Sequence, residues 1–297
     1  FAIAALDGLR LAIGAPGDAG YDDVSAPYTG AVYLFSFSDL DFNNPVLESI
    51  IGFDYSGGNN LHIPSLESGD DFGGDISLDG NRLAVGAVGD DGFNNLVTDS
   101  GAVYLFSFAD GVFTSPTLEA VIGEGYNVGN TGRAKDYDTA GLLDAFDGFG
   151  AVSLSGTQLV VGADEDDGFG DLVQDGGAVH LFSFTDTVFS GTIHQSTIGA
   201  GYNTGKDLDL GSQIDPFESF GYSVSLDGTS LAVGSDLSAA AGVQDPGAEI
   251  GAVYLFTFAD GTFTTPVHES TIGLGFTGTK DFNLSLENGD GFGDKVS

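Results

Sequence analysis

Two sets of acidic residues in this chain have the composition of a hard-cation site. The first lies in "GDAGYDD", "GDDGFNNLVTD" and "DEDDGFGDLVQD". These segments carry Asp18, Asp22 and Asp23, then Asp90, Asp91, Asn94 and Asp99, then Asp164, Asp166, Asp167, Asp171 and Asp175. Calcium takes about six to eight oxygens from carboxylates, amides, backbone carbonyls and water, and glycines let a short loop wrap closely enough to supply them. The third copy is the densest, and with Glu165 its aspartates repel one another unless a counterion intervenes. A fourth copy, "DLSAAAGVQDPGAE", has lost the pattern, so this set would bind calcium in three places at most.

The second set is "KDYD", "KDLD" and "KDFN", with Asp136 and Asp138, Asp207 and Asp209, and Asp281 and Asn283. Lys135, Lys206 and Lys280 stand directly before them, a placement that implies a salt bridge or a cap on the neighbouring carboxylates. Ca2+ is the cofactor these two sets suggest. The competing reading is solvated turns, in which Asp and Asn side chains satisfy the local backbone.

Other chemistry has less to rest on. His180 replaces the tyrosine of a recurring "GAVYLF", and His194 and His268 take the slot of Leu47 and Leu118, so these three read as strand substitutions. His62 stands alone in "NNLHIPSL". Cysteine is absent, which removes thiolate metal sites, cysteine nucleophiles and disulfides. No G-x-S-x-G elbow precedes a helical pattern. A glycosidase needs one pair of carboxylates, whereas these acids recur. The expectation is a protein that is not an enzyme.

The elements that carry these residues are written as a repeat. "YTGAVYLFSFSDL" from Tyr28 returns at Asp99, Asp175 and Glu249, at intervals of 71, 76 and 74 residues. Within the second unit, "DFGGDISLDGNRLAVGA" alternates apolar Ile76, Leu78, Leu83 and Val85 with small or polar residues around a tight turn, which predicts a hairpin. The acidic loop follows and leads into "GAVYLFSF", whose two faces are both largely apolar, then a turn at "ADG" and a last extended stretch after Pro116. A polar excursion, "EGYNVGNTGRAKDYDTAGLLDAFDG", closes the unit, and helical periodicity is missing throughout. The pattern predicts four-stranded meanders that must cover one another's faces. One array spans 1–297, with units of about 71–77 residues near 1–70, 71–147, 148–218 and 219–290, and 291–297 as a closing or next-unit strand.

The combination "FGGDISLDGNRLAVGAVGDDG...SGAVYLF" resembles the FG-GAP repeat family, the blade units of integrin alpha chain propellers and of many bacterial surface proteins. Phe72 and Gly73, Phe149 and Gly150, Phe220 and Gly221, and Phe292 and Gly293 match its "FG" element, and Phe1 with Ala2 is a worn copy. Its "GA(P)" element appears as Gly14, Ala15 and Pro16, as Gly86 and Ala87, and as Gly162 and Ala163, and becomes Gly234 and Ser235 in the fourth unit. The resemblance implies an all-β fold, a β-propeller built of four-stranded antiparallel blades, and adhesion or ligand binding, often calcium-dependent. The family's D-x-D-x-D-G-x-x-D calcium loop is not carried over, because "SLDGNRL" and its counterparts are too short for it. The chain is closer to the bacterial extracellular variant.

Composition narrows the partners. Seven basic against 44 acidic residues give a formal charge of −37, which repels nucleic acid and anionic lipid headgroups. No apolar run approaches the roughly 20 residues of a membrane-spanning helix, so no membrane insertion is expected. Methionine is absent and the chain opens inside a repeat, as a piece of a longer protein would. The reading is an extracellular or cell-surface adhesion or ligand-binding module, its partner a protein or carbohydrate ligand at the cell surface or copies of itself. A subunit of an extracellular filament, sheath or layer is the alternative, and a propeller glycoside hydrolase comes third.

Overall fold

Apolar alternation, short turns and glycines placed between strands give a fold that is almost wholly β. The computed structural model describes residues 3–21, 27–239 and 249–297. It holds four sheets, each a meander in which chain order is spatial order. The first sheet is β1 (Ala4–Asp7), β2 (Arg10–Ala15), β3 (Ala31–Ser36), β4 (Val46–Gly52) and β5 (Leu61–His62). The second is β6 (Ile76–Asp79), β7 (Arg82–Ala87), β8 (Ala102–Ser107), β9 (Thr117–Gly123) and β10 (Tyr137–Asp138). The third is β11 (Phe149–Ser155), β12 (Gln158–Ala163), β13 (Ala178–Ser183), β14 (Ile193–Gly199) and β15 (Leu208–Asp209). The fourth is β16 (Phe220–Asp227), β17 (Ser230–Ser235), β18 (Ala252–Thr257), β19 (Val267–Gly273) and β20 (Phe282–Asn283).

These are blades of the β-propeller type, with one correction to the strand count. Each sheet has five strands, not four. The extra strand is two residues long and lies parallel to its neighbour, as where Tyr137 and Asp138 pair with Ile122 and Gly123. It falls inside the polar excursion, where two residues are too few to show period-2 alternation. The same excursion of the second unit contains a single helical turn, α1 (Val128–Thr131), capped by the Asn127 side chain and ended by Gly132 in the left-handed region. Periodicity has no purchase on one turn.

The chain divides into two compact units, residues 1–150 with 185–191 and residues 151–184 with 192–297. Within the first, Ala12, Val32, Leu34 and Ile51 of the first sheet form one core with Phe72, Leu83, Val85, Tyr104 and Phe106 of the second. Within the second unit, Val160, Val179, Leu181 and Ile198 of the third sheet do the same with Phe220, Leu231, Val233, Tyr254 and Phe256 of the fourth. The "FG" and "GA" glycines are explained by this stacking. A Cβ on Gly14 would stand 2.0 Å from the Gly73 carbonyl oxygen, and one on Gly162 would stand 1.9 Å from that of Gly221. Backbone meets backbone there, and no side chain fits.

The turns between the third and fourth strand of each sheet share a device that the sequence did not announce. Asp39, Asp110, Asp186 and Asp260 each accept the N–H groups two and four residues ahead. That network lets Phe42, Phe113, Phe189 and Phe263 adopt positive φ of 53–62°, an unfavourable region for a bulky residue.

Candidate functional site

The acidic loop after the second strand begins with a tight turn that sends its first carboxylate inward. In the second sheet that residue is Asp90, 2 % exposed. Tyr104 from β8 donates its hydroxyl to Asp90 at 2.7 Å, Tyr126 donates at 3.0 Å, and the N–H of Gly92 donates at 2.9 Å. Burial pushes the Asp90 carboxyl up, and the three donors pull against it. In the first sheet Asp18 takes the same place beneath Tyr33 and Tyr55, at 2.7 and 3.0 Å. In the third, Asp166 accepts from Tyr202 at 2.9 Å, and His180, which stands where the other sheets have tyrosine, brings Nε2 to 3.7 Å from the carboxylate. The substitution at His180 therefore preserves a polar group aimed at the buried acid. Thr197 Oγ1 bridges the His180 and His194 rings at 3.2 Å each.

A second acid, buried at Asp70, Asp147 and Glu218 and exposed at Asp290, was passed over in sequence reasoning, and Asp70 lies close to Asp90. Asp70, Asp147, Glu218 and Asp290 stand two residues before each "FG" phenylalanine and accept the N–H of Glu67, Asp144, Asp215 and Glu287 at 2.7–2.8 Å. The signal was present in "DDFG", "DGFG" and "ESFG", hidden by the many other acids nearby. Asp70 is 6 % exposed; burial, with the charge of Asp90 added, pushes its carboxyl up to about 8. The fourth sheet relieves this crowding. Ser238 takes the slot of Asp90, its carbonyl receiving Gly251 N–H at 2.9 Å as that of Asp90 receives Gly101 N–H. The tyrosine hydroxyl of Tyr254 then goes to Glu218, whose longer side chain reaches it. Burial holds Glu218 at about 7.

The remaining loop acids serve mostly to shape the loop. Asp91 and Asp167 each accept the N–H eight residues on, from Asp99 and Asp175, at 2.7 Å. Asn94, Asp99, Asp171 and Asp175 are turn residues with φ between 47 and 60°. Crowding persists where carboxylates converge: burial and the charge of Asp91 raise Asp99, and burial and the charge of Asp99 raise Asp71. Burial likewise lifts Asp164 to about 7, with Glu165 and Asp236 adding to it. Asp22 and Asp23 lie outside the described residues. Among the described residues, no three histidine, aspartate or glutamate side chains form a group shaped to hold a metal ion. The donor chemistry is that of a hard cation, but the lone pairs of Asp18, Asp90 and Asp166 are already taken by hydroxyl and amide donors. Charge crowding remains at Asp71, Asp91 and Asp99.

One comparison bears on this geometry. Residues 65–106 match the family model described as FG-GAP repeat. The chain carries an FG-GAP repeat. The matched segment holds β6, β7 and all of β8 but its last residue, together with Asp70, the Phe72–Gly73 pair, Asp90 and Tyr104, so both buried acids lie inside the FG-GAP unit. No curated protein matches the chain. The turn from β6 to β7 in this FG-GAP unit is a two-residue hairpin closed by the Asp79 and Arg82 pair.

The second acidic set belongs to the clasp that ends each unit, including the FG-GAP unit. Asp136, Asp207 and Asp281 accept the N–H of Val121, Thr197 and Thr271 at 2.8–2.9 Å. Asp138, Asp209 and Asn283 accept that of Gly125, Gly201 and Gly275 at 2.7–2.9 Å. In the first sheet Asn60 and His62 make the corresponding bonds to Ile50 and Asp54. His62 is thus the fourth member of a series and does not stand alone. Each pair staples a two-residue strand to the sheet. The three lysines do not cap the aspartates beside them, a correction to the sequence reading. Lys135 pairs with Glu119 at 2.5 Å and Lys280 with Glu269, while Lys206 meets Gln195, all on the fourth strand of their sheets. The staple turns the aspartates toward backbone amides, leaving the strand side chain to the lysine.

Proposed function

We propose that this chain is a non-enzymatic, extracellular or cell-surface ligand-binding module that acts in adhesion through its repeated acidic loops. The observation that carries this reading is a set of apolar residues held exposed within those loops. Tyr21 and Leu96 in the first unit, and Phe169 and Leu172 in the second, are 54–76 % exposed, while the aspartate at the base of each loop is fixed by a tyrosine hydroxyl and is buried at Asp90 and Asp166. A rigid base under an apolar tip with acids around it suits contact with a protein or carbohydrate ligand. Calcium is the cofactor proposed with it, as a counterion to the acidic loops, where a divalent ion relieves the crowding of Asp91 and Asp99.

The test is binding of the purified chain to an array of extracellular proteins and glycans, in calcium and in chelator, beside a Leu96→Ser, Leu172→Ser double variant. Loss of a specific signal in the variant, with its melting midpoint unchanged, is expected. Equal binding by both proteins, or no selective binding on the array, overturns the adhesion reading.

A further inference from the structure

Three of the acidic loops hold an aromatic residue in the same way. Tyr21, Phe93 and Phe169 stand three positions after Asp18, Asp90 and Asp166, the aspartates fixed by tyrosine. Each gives its backbone N–H to a carbonyl just beyond or at the end of the fourth strand's path, that of Phe53, Glu124 or Ala200, at 2.8–3.3 Å. Each ring also meets, edge to face, the tyrosine whose hydroxyl the aspartate accepts. Tyr21 lies 6.1 Å from Tyr55, Phe93 6.0 Å from Tyr126 and Phe169 5.9 Å from Tyr202, with ring planes 71–87° apart. Such pairs ordinarily bury both rings. Here Tyr21 is 72 % exposed and Phe169 54 %; Phe93 is half-buried, and Leu96, which borders Gly125 with it, is 66 % exposed.

The charge around these rings is of one sign. Residues 16–30, 88–101 and 164–177 contain no lysine, arginine or histidine. Asp171, two residues from Phe169, is exposed. None of the ion pairs among the described residues reaches Asp91, Asp99, Asp167, Asp171 or Asp175. Burial and the charge of Asp167 raise Asp175, as burial and the charge of Asp91 raise Asp99. A ring in such a place attracts cations twice over, through the negative face of its π system and through the carboxylates near it in the loop. An anionic ligand is repelled, and a neutral sugar on the ring leaves the carboxylates uncompensated.

We infer that the ligand of these loops is a basic protein segment, whose arginine or lysine side chains lie over the exposed rings of Tyr21 and Phe169 with the loop carboxylates as counter-charge. Charge complementarity selects the sign of the ligand, and the exposed leucines select a polypeptide. The long stems of arginine and lysine are apolar, and Leu96 and Leu172 offer them apolar cover. An inorganic cation gains nothing from a leucine. The inference rests on the ligand-binding reading above and names the class of ligand.

The test is fluorescence anisotropy of labelled peptides titrated with the whole chain, in chelator and at about 0.15 M ionic strength, where general attraction is screened beyond about 8 Å. One glycine- and serine-rich peptide carries spaced arginines; a second carries citrulline, which keeps the shape and loses the charge. The arginine peptide is expected to bind at least about fivefold more tightly. Tyr21→Leu with Phe169→Leu keeps the charge of −37 and an apolar side chain at both places. That variant is expected to bind the arginine peptide about fivefold more weakly, with its melting midpoint unchanged. Equal binding of the two peptides overturns the inference, and so does undiminished binding by the variant, which is attraction to the chain's charge as a whole. The peptide comparison needs no variant and decides the matter should the variant unfold. Neutral or acidic proteins or glycans captured on the array, and lost with Leu96→Ser and Leu172→Ser, overturn this inference and leave the ligand-binding reading standing. An array without selective binding overturns that reading whatever the peptides do.

Discussion

Replacing Asp70 by asparagine should make the chain more stable, and more so at neutral pH than in mild acid. In the folded chain Asp70 faces Asp90, with Glu67 and Asp91 nearby, and holds its proton up to about pH 8, against an ordinary aspartate value of 3.8. The unfolded chain has lost that proton above about pH 4. Between those limits the folded state binds one more proton than the unfolded state, so stability falls as pH rises, by about 1.4 kcal/mol per pH unit. From pH 5.5 to 7.5 this group alone removes about 2.7 kcal/mol. Asparagine keeps the oxygen that accepts Glu67 N–H and carries no charge, so the variant lacks this slope. Urea titration of both proteins at pH 5.5 and 7.5 should show the advantage of the variant widening by about 2.7 kcal/mol from the lower pH to the higher. Parallel curves, with the same difference at both pH values, would refute the paired-acid reasoning. The fourth sheet has made a related exchange already, with Ser238 in place of the second carboxylate.

Gly162→Ala, which places a methyl 1.9 Å from the Gly221 carbonyl oxygen, should cost more than about 3 kcal/mol or prevent folding, whereas Gly111→Ala, with open space around it, should be near neutral by the same denaturation assay. Tyr126→Phe removes a hydroxyl that reaches both oxygens of Asp90, and should cost about 1–3 kcal/mol at pH 7 in thermal or urea unfolding. Melting in chelator and then in millimolar calcium, at constant high ionic strength, should show a rise specific to calcium over magnesium, and Asp91→Asn with Asp99→Asn should abolish it. An unchanged midpoint would leave those residues as loop braces.

Much of this architecture was legible because the sequence states it four times. Period-2 alternation located the four long strands of each unit, and recurrence of "FG", "GA" and "GAVYLF" located the sheets. Those signals are local, since a strand's two faces are written residue by residue along the chain. The repeat also marked the acidic slots, but composition alone could not say what they did. Asp90 and Asp136 look alike as letters in acidic loops. Only the fold brings Tyr104 and Tyr126 onto the first and the amide of Val121 onto the second. The clasp strands escaped notice because two residues carry no period, and the role of His62 because a histidine and an aspartate become equivalent only when both accept one amide. The facing of Asp70 and Asp90, 20 residues apart in sequence, follows from how β6 enters its sheet beside the loop after β7. What the chain determined by itself was the repeat and the faces of its strands. What the tertiary structure decided was which acids are buried together, and which backbone amides the others accept, because both depend on neighbours that no single strand encodes.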